Sequence, residues 1–295
     1  MLNVRELKKE IKKNKAIVRL QKVEDFLDSL PEEPIFDLVV TSPPYDIGKP
    51  YEKKIPLEEY KKWQWEIIER IVKRMPENGS VCWQVGNYIH DGEVHPLDIE
   101  LAPIFFELGL KLRNRIVWTF GHGMHAKRRF SGRHETILWF TKGDEYVFNL
   151  DDVRVPSKYP GKRHFKGAHK GELSGNPLGK NPEDVWNIPN VVGNHIEKKN
   201  HPCQFPVVLA QRLIRALSNP GDLVFDPFAG SASTAVAALS CERIFVGTEI
   251  CKEYADIAEV RIKNTLNGKE KFRPDKPIYD HTKSNLSKRP KEWDK

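Results

Sequence analysis

The residues best suited to chemistry lie at 41–45, where the chain reads Thr-Ser-Pro-Pro-Tyr. An apolar run at 36–40 precedes them and predicts a buried strand, which two prolines cannot extend because they donate no backbone hydrogen bond. The chain therefore leaves the sheet here and presents carbonyl oxygens, the Ser42 hydroxyl and the Tyr45 ring. Such oxygens can accept the protons of an NH₂ group on an aromatic heterocycle while the tyrosine stacks on its face. A proline turn with Tyr45 in the core explains the same residues equally well.

A second stretch with chemical potential lies at 226–231 and reads Asp-Pro-Phe-Ala-Gly-Ser. It joins an apolar run at 223–225, which predicts a strand, to an alanine-rich run at 232–239, which predicts a helix. Glu249 lies just past the next predicted strand, at 243–247, and about 20 positions after the glycine of the turn. This order is typical of nucleoside sites, in which the acid accepts hydrogen bonds from ribose hydroxyls.

The turn at 226–231 lacks the glycine pattern of dinucleotide sites and the lysine of triphosphate-binding loops. It offers instead Asp226, which can pair with a cation, beside a helix N-terminus, which can receive a carboxylate. A nucleoside joined to a zwitterionic amino acid meets both requirements, and S-adenosylmethionine is such a molecule. An ordinary strand-helix crossover is the alternative interpretation.

Composition narrows the class of protein. The chain has 295 residues, 39% of them hydrophobic, which is enough for one large α/β domain with insertions or for two smaller domains. The chain has no long apolar run, and its segment at 1–15 is charged. Both features predict a cytoplasmic protein. The four cysteines form no Cys-x-x-Cys pair, and His122 and His125 have no nearby carboxylate. We therefore expect no metal site.

Predicted strands and helices alternate along the chain. Further strands are predicted at 80–85, 113–120 and 135–141, and helices at 5–15, 57–75, 97–108, 205–217 and 253–261. The alternation predicts an α/β fold with a mostly parallel sheet covered by helices on both faces. The first helix is strongly basic, and we expect it to be a solvated surface helix.

Positive charge is concentrated in two stretches without clear periodicity, at 121–133 and 158–199. The chain carries 48 Lys and Arg against 41 Asp and Glu, a formal charge of +7. Basic side chains there alternate with aromatic ones such as Phe130 and Phe165, a mixture suited to phosphates and bases. A solvated loop explains the charges equally well and the aromatics less well. The residues predicted to contact DNA are Lys127, Arg128, Arg129, Arg133, Lys162, Arg163 and Lys166.

Three motifs in this order resemble a known enzyme family. Thr-Ser-Pro-Pro-Tyr at 41–45, His-Pro-Cys-Gln-Phe-Pro at 201–206 and the turn at 226–231 with Glu249 are similar to the beta-class amino-group DNA methyltransferases of restriction–modification type. In that class, which methylates cytosine N4 or adenine N6, the catalytic motif precedes the cofactor motif. The resemblance covers about 247 residues, 16–262. It includes Arg-His-Glu-Thr-Ile-Leu-Trp-Phe at 133–140 and Asp-Val-Trp-Asn-Ile-Pro at 184–189.

The resemblance implies a Rossmann-like, S-adenosylmethionine-dependent methyltransferase fold with an irregular target-recognition insertion. It divides the chain into a catalytic half at 16–141, a target-recognition region at 142–200 with the loop 121–133, a cofactor-binding half of the same domain at 201–262, and a polar tail at 263–295. The implied partners are double-stranded DNA and a cognate restriction endonuclease, with the enzyme acting as a monomer or homodimer.

The resemblance also implies roles for single residues. Ser42 and the carbonyl of Pro43 would accept hydrogen bonds from the target amine, and Tyr45 would stack on a base flipped out of the duplex. Pro44 stands where cytosine-C5 enzymes carry a cysteine, so the implied chemistry is direct transfer to an amine. The implied cofactor-binding residues are Thr41, Phe205, Asp226, Pro227, Phe228, Gly230, Ser231, Glu249 and Ile250. Among them, Glu249 would bind ribose and Ile250 would lie against adenine.

Two positions depart from the family pattern. Family members commonly have Gly-Asp before the catalytic strand, with the acid touching adenine, whereas the aligned stretch 20–25 reads Leu-Gln-Lys-Val-Glu-Asp. Either Glu24 or Asp25 substitutes, or that contact is absent. Ala232 stands where glycine is usual, and we expect it to narrow the space beside the cofactor.

Several reactions remain open at this point. Serine at position 42 is typical of cytosine-N4 methylation, whereas Asp or Asn is typical of adenine-N6 methylation. The Pro-Cys-Gln at 202–204 is similar to a motif of cytosine-C5 enzymes, whose cysteine attacks the base. In those enzymes the motif follows the cofactor loop, whereas in this chain it precedes that loop. Methylation of RNA or of a protein glutamine is a further alternative. A DNA-binding homologue without turnover is the non-enzymatic one.

Overall fold

The computed structural model describes residues 3–45, 55–121, 123, 125–274 and 288–294. Its helices are α1 (Val4–Asn14), α2 (Val23–Asp28), α3 (Leu57–Val72), α4 (Leu97–Glu107), α5 (Val207–Leu217), α6 (Ser233–Ser240) and α7 (Lys252–Leu266). Its strands are β1 (Ala16–Leu20), β2 (Leu38–Thr41), β3 (Ser80–Val85), β4 (Asn87–His90), β5 (Glu93–Pro96), β6 (Lys111–Thr119), β7 (His134–Thr141), β8 (Val185–Asn187), β9 (Leu223–Asp226) and β10 (Ile244–Glu249).

The main sheet has the strand order β1-β10-β9-β2-β3-β7-β6-β8. Along this order, the neighbours β1, β10, β9, β2 and β3 pair in parallel, and so do β6 and β8. Strand β7 lies between β3 and β6 and is antiparallel to both. The strands β2 and β9 are direct neighbours, with Leu38 opposite Val224. The two turns that leave their carboxyl ends therefore emerge side by side, although they are far apart in sequence.

Both faces of the sheet are covered by helices. Val39 and Phe225 belong to an apolar cluster shared with buried residues of α1, α2, α3 and α4. Side chains alternate along a strand, so the buried Val40 and Val224 face the other side, where α5 packs on β2 and α6 on β9 and β10. The predicted α/β fold, with a mostly parallel sheet and helices on both faces, is confirmed.

The first helix differs from its prediction as a solvated surface element. Val4, Leu7 and Ile11 are buried on one face of α1, which packs on β1 and β10. The basic side chains lie on the remaining surface, with Lys12 and Lys13 exposed in the last turn. Counting charges alone overlooked the apolar stripe at helical spacing.

Sequence periodicity missed an antiparallel hairpin formed by β4 and β5, in which Ile89 pairs with Val94. Asp91 and Gly92 form its turn, both with positive φ (47° and 86°). An Asp-Gly pair is a strong hairpin signal because both central residues of the tight turn need positive φ. The other boundary changes are small: Glu249 ends β10 rather than following it, and α7 continues to Leu266.

The chain divides into two compact units. One contains the sheet and comprises 1–148 and 184–273, and the other comprises 149–183 and 274–295. The predicted target-recognition region at 142–200 therefore contributes residues to both units. Within the second unit, Arg163 pairs with Glu292 at 2.6 Å, and the Trp293 ring lies against Gly175. Among the helices described, none has the length and apolar character needed to cross a membrane.

Candidate active site

A pocket of about 470 Å³ lies at the carboxyl ends of four parallel strands. Gln21, Ser42, Pro227 and Ile250 follow β1, β2, β9 and β10 respectively, and all four line the pocket. In doubly wound sheets this edge is the usual place for ligands, and the volume is typical of a site for a small molecule.

The predicted catalytic and cofactor residues converge on this pocket. All four predicted catalytic residues line it: Ser42, Pro43, Pro44 and Tyr45. The predicted cofactor residues that line it are Phe205, Pro227, Phe228, Gly230, Ser231, Glu249 and Ile250. Thr41 and Asp226, also predicted to contact the cofactor, are buried and do not line it.

Asp226 is fully buried and connects the two turns from below. Its carboxylate accepts hydrogen bonds from the Thr41 hydroxyl at 2.5 Å, the Thr234 hydroxyl at 2.6 Å and the backbone N–H of Phe228 at 3.0 Å. Burial raises the pKa of Asp226 to about 6, and the three hydrogen bonds act in the opposite direction. Asp226, whose charge could pair with a cation, is 0% exposed and surrounded by hydrogen-bond donors, and through Thr41 it forms a bridge between β2 and β9.

Glu249 is held by the backbone through both carboxylate oxygens. Oε2 accepts from the N–H of Gly230 at 2.9 Å, and Oε1 accepts from the N–H of Cys251 at 2.8 Å. Burial raises the pKa of Glu249, and these backbone hydrogen bonds oppose the rise. Each carboxylate oxygen can accept a second hydrogen bond, so Glu249 can still bind hydroxyl groups in the pocket.

Gly230 allows the turn at 226–231 to approach its neighbours closely. Its φ is +50°, a conformation that favours glycine, and a Cβ at this position would lie 2.9 Å from His201 Nε2. His201 lines the pocket and packs edge-on against Tyr254, which lines it too. Neither His201 nor Tyr254 is among the site residues predicted from the sequence.

A tryptophan on α3 was another residue that sequence reasoning did not assign to the site. Trp63 lines the pocket, and its ring centroid lies 5.5 Å from that of Phe228. Its indole N–H donates to Glu24 at 2.7 Å. Trp63 lies within the helix predicted at 57–75, and only the packing of α3 beside α2 shows that it borders a cavity. Of the two acids considered for the adenine contact, Glu24 lines the pocket and Asp25 does not.

The loop before α5 is anchored by a buried acid. Glu197 is 0% exposed, and its carboxylate accepts from the N–H of Val207 at 2.9 Å. Gln204 in turn donates to the backbone carbonyl of Glu197 at 2.7 Å. This acid takes over the capping role that Pro206, at the N-cap, cannot fill with a side chain. The predicted helix at 205–217 accordingly begins at 207, and the exposed Cys203 lies in the loop, lining the pocket.

Ala232 does not border the pocket. It is 0% exposed and adopts a left-handed conformation with φ 61° and ψ 40°. The expectation that its methyl group narrows the pocket is therefore wrong: the position matters for backbone conformation, where glycine has the advantage.

The residues predicted to bind DNA are exposed or half-buried, and one of them already has an acidic partner. Lys127, Arg128 and Arg129 are exposed on the connection between β6 and β7, with Arg133 half-buried at its end. In the second unit Lys162, Arg163 and Lys166 are exposed. Because Arg163 is paired with Glu292, we expect it to contribute less to phosphate binding than the other basic residues.

Comparison with known proteins gives consistent results. A family model described as DNA methylase matches residues 36–260. The type II methyltransferase M.BglII of Bacillus subtilis is 55% identical over 223 residues, which are 75% of this chain and 62% of that protein. The chain thus spans less than two thirds of that relative.

Solved structures share the fold. The cytosine-N4-specific PvuII DNA methyltransferase has a TM-score of 0.66 at 22% identity, covering 85% of this chain and 91% of its own. A Thermus thermophilus protein described as a putative DNA modification methylase, solved with S-adenosyl-L-methionine, has a TM-score of 0.61 at 25% identity, covering 85% of this chain and 96% of its own. Since the family model spans most of the chain and M.BglII is more than half identical over the matched part, the chain belongs to the amino-group DNA methylase family.

Proposed function

We propose that the protein transfers a methyl group from S-adenosylmethionine to the exocyclic N4 amine of cytosine in duplex DNA. The observation that carries the proposal is the convergence of the Ser-Pro-Pro-Tyr turn at 42–45 and the turn bearing Glu249 on one pocket. Direct transfer requires that amine and cofactor meet in one place, and the adjacency of β2 and β9 supports that requirement.

The pocket fits S-adenosylmethionine, the cofactor of the family. Glu249 has acceptor capacity for ribose hydroxyls, and Trp63, Phe228 and Ile250 supply apolar surface for a purine. The lack of a side chain at Gly230 lets His201, which also lines the pocket, pack closely against the turn at 226–231. When bound, the cofactor supplies a methyl group activated by a sulfonium.

The residues of the chain prepare the target amine. An exocyclic amine is a poor nucleophile because its lone pair is delocalised into the ring. In our proposal the Ser42 hydroxyl and the Pro43 carbonyl accept hydrogen bonds from its two N–H groups, which favours a pyramidal nitrogen and stabilises the positive charge that develops there. Tyr45 stacks on the flipped base and holds it in line with the methyl group. No enzyme nucleophile is required, because the amine itself attacks.

Ser42 supports the choice of cytosine N4, since serine at the first position of this motif is typical of N4 methylation. Adenine N6 is the second candidate. The family includes enzymes of both specificities, and the two amines have similar geometry, so the same acceptors can serve either.

The proposed partner is double-stranded DNA. The exposed basic residues Lys127, Arg128 and Arg129 support contact with phosphates on the connection between β6 and β7. Kinship with a type II methyltransferase supports functional pairing with a restriction endonuclease, and we place both activities in the cytoplasm.

The test is transfer of a labelled methyl group from S-adenosylmethionine to mixed-sequence DNA, followed by mass spectrometry of the nucleoside hydrolysate. We expect N4-methylcytosine from the wild-type protein. Ser42→Ala should lower transfer by about 100-fold or more, the usual effect of removing one stabilising donor or acceptor from a reacting centre.

Ser240→Ala is the matched control, because Ser240 is exposed at the end of α6 and does not line the pocket. N6-methyladenine as the product would replace the proposed base while leaving the enzyme class intact. Equal rates for wild type and Ser42→Ala would refute the catalytic assignment.

A further inference from the structure

A chain of polar side chains lies behind the catalytic tyrosine, outside the pocket. Gln84 is 5% exposed within β3, a strand whose six residues are all buried. Its side-chain amide donates to the Tyr45 hydroxyl at 2.8 Å and also to the Glu135 carboxylate. The Tyr45 hydroxyl in turn lies 3.4 Å from the Ser42 hydroxyl. The chain Glu135–Gln84–Tyr45–Ser42 thus runs from a carboxylate on β7 to the group that faces the target amine.

The chemistry of these groups gives the chain a direction. An ionised carboxylate only accepts hydrogen bonds, so Glu135 requires the NH₂ end of the Gln84 amide, not its oxygen. The same nitrogen then donates to the Tyr45 oxygen. With that oxygen acting as acceptor, the Tyr45 proton is available for donation, and Ser42 lies within reach. A serine that accepts from Tyr45 keeps a lone pair for the amine.

A glycine makes room for this arrangement. Gly86 follows β3, and a Cβ there would lie 3.3 Å from Tyr45 Cε2 and 3.4 Å from both Cγ and Oε1 of Glu135. These distances are tighter than ordinary van der Waals contacts. The tyrosine ring and the carboxylate therefore converge over Gly86.

Tyr45 keeps its proton in this environment. Burial, and after it the nearby Glu135 carboxylate, raises the pKa of Tyr45 well above its ordinary value. The phenol is therefore protonated at neutral pH and can donate a hydrogen bond.

We propose that Glu135 and Gln84 are positioning residues for the methyl transfer. They fix the Tyr45 ring and orient its hydroxyl so that Ser42 presents an acceptor to the amine. The inference rests on the proposed function, and it adds to it two residues that do not line the pocket. It also gives a role to Glu135, the last residue of the Arg-His-Glu segment at 133–135. Glu135 has no other role in the proposed methyl transfer.

The test compares Glu135→Gln with Tyr45→Phe and with the double variant. Glu135→Gln keeps the size of the side chain but removes the obligatory acceptor, so the Gln84 amide is free to turn over. We expect the single-turnover rate constant to fall 10- to 100-fold, with dissociation constants for S-adenosylmethionine and DNA within two-fold of wild type. Since Glu135 acts through the Tyr45 hydroxyl, the double variant should be no slower than Tyr45→Phe alone.

Glu107→Gln, an exposed carboxylate on α4, is the control for loss of one negative charge and should leave the rate unchanged. A wild-type rate for Glu135→Gln would overturn the proposal. So would multiplicative effects in the double variant, because they would show that Glu135 acts independently of Tyr45. Loss of cofactor affinity in parallel with the rate would instead assign Glu135 a structural role and would also overturn it.

A second measurement separates this proposal from the proposed function. In protein labelled with ¹⁵N-glutamine, the side-chain NH₂ protons of Gln84 should exchange slowly with solvent, and Glu135→Gln should accelerate that exchange. Rapid exchange in the wild type would refute the hydrogen-bond chain itself. Slow exchange in a wild-type protein that transfers no methyl group to DNA would reject the proposed function, and the positioning role with it, while leaving the geometry intact.

Discussion

Asp226 links the turn at 41–45 to the turn at 226–231 through buried hydrogen bonds. Thr41, which donates to it, immediately precedes Ser42, and Phe228, whose N–H also donates to it, lies in the turn that lines the pocket. A single carboxylate thereby sets the distance between two motifs that are 185 residues apart in sequence. Its cost is the burial of a charge, which is reflected in a pKa of about 6.

The first prediction concerns the pH dependence of stability at Asp226. Its pKa is about 6 in the folded protein and 3.8 in the reference state. Folding therefore favours the protonated form, and the group destabilises the fold progressively as pH rises from about 4 to 6. Between pH 7 and pH 5 the wild type should gain about 1 kcal/mol in unfolding free energy relative to Asp226→Asn, which does not titrate.

Urea unfolding of both proteins at the two pH values measures this difference. The comparison cancels the contributions of other buried acids such as Asp37 and Glu249, whose pKa values burial also raises. Parallel pH profiles for the two proteins would show that Asp226 does not carry the effect.

The second prediction concerns Cys203, which is exposed and lines the pocket. In the proposed mechanism the amine is the nucleophile, so Cys203→Ala should retain at least a tenth of the wild-type transfer rate, an effect of about 1.4 kcal/mol or less. Labelled transfer to DNA measures this rate. Loss of all transfer, together with a covalent adduct between the wild type and DNA containing 5-fluorocytosine, would establish attack by the thiolate instead.

At the scale of elements, the connection between β6 and β7 combines charge with exposed aromatic surface. Phe130 is 102% exposed and follows three basic residues in sequence. Both strands belong to the main sheet, so the sheet holds the two ends of this segment. We expect the connection to contact the DNA backbone.

The third prediction is that replacing Arg128 and Arg129 together by alanine weakens DNA binding and lowers its salt dependence. If each arginine neutralises one phosphate, the slope of log K against log salt concentration should fall by about 2. S-adenosylmethionine affinity should remain within two-fold of wild type. DNA binding titrations from low to moderate salt measure the slope.

The paired control replaces Lys12 and Lys13, two exposed basic residues in the last turn of α1, and so removes the same charge elsewhere. An equal loss of slope in both double variants would indicate a general effect of net charge. An unchanged slope for the arginine variant would exclude the connection from the DNA interface.

At the scale of the whole molecule, cofactor binding should stabilise the fold, because the pocket is built from elements spread over most of the chain. S-Adenosylhomocysteine at 100 times its dissociation constant should raise the unfolding free energy of the wild type by about 2.7 kcal/mol. Gly230→Ala should lose most of this gain, since its methyl group would displace His201 from the pocket wall.

Gly268→Ala serves as the control, because Gly268 also has a positive φ (+66°) but a Cβ there would meet nothing within 4 Å. It shares the backbone strain of the Gly230 variant without the steric clash. Thermal and urea unfolding with and without ligand provide the measurement. Equal ligand stabilisation in the Gly230 variant and the wild type would place the cofactor elsewhere.

Local patterns in the sequence were sufficient for the α/β fold class and for the two turns that line the pocket. The strand at 80–85 matches β3, and the residues at 42–45 and 227–231 that line the pocket lie where strand-ending prolines and a small-residue turn placed them. These features depend on neighbours in sequence: hydrophobic periodicity, a missing N–H donor and a required positive φ are all local properties. The Asp-Gly turn of the β4–β5 hairpin was equally local and was overlooked.

The relations between distant residues were decided only by the tertiary structure. Whether Asp226 faces a ligand or a threonine depends on which strand lies beside β9. Because β2 lies there, the Asp226 carboxylate accepts a hydrogen bond from Thr41. Trp63 and Gln84 had the helix and strand positions expected of core residues, yet one borders the pocket and the other supports Tyr45. Sequence determines which groups are available and how each backbone segment bends. Three-dimensional packing determines which buried polar groups meet, since each must find its partner among residues that chain order does not bring together.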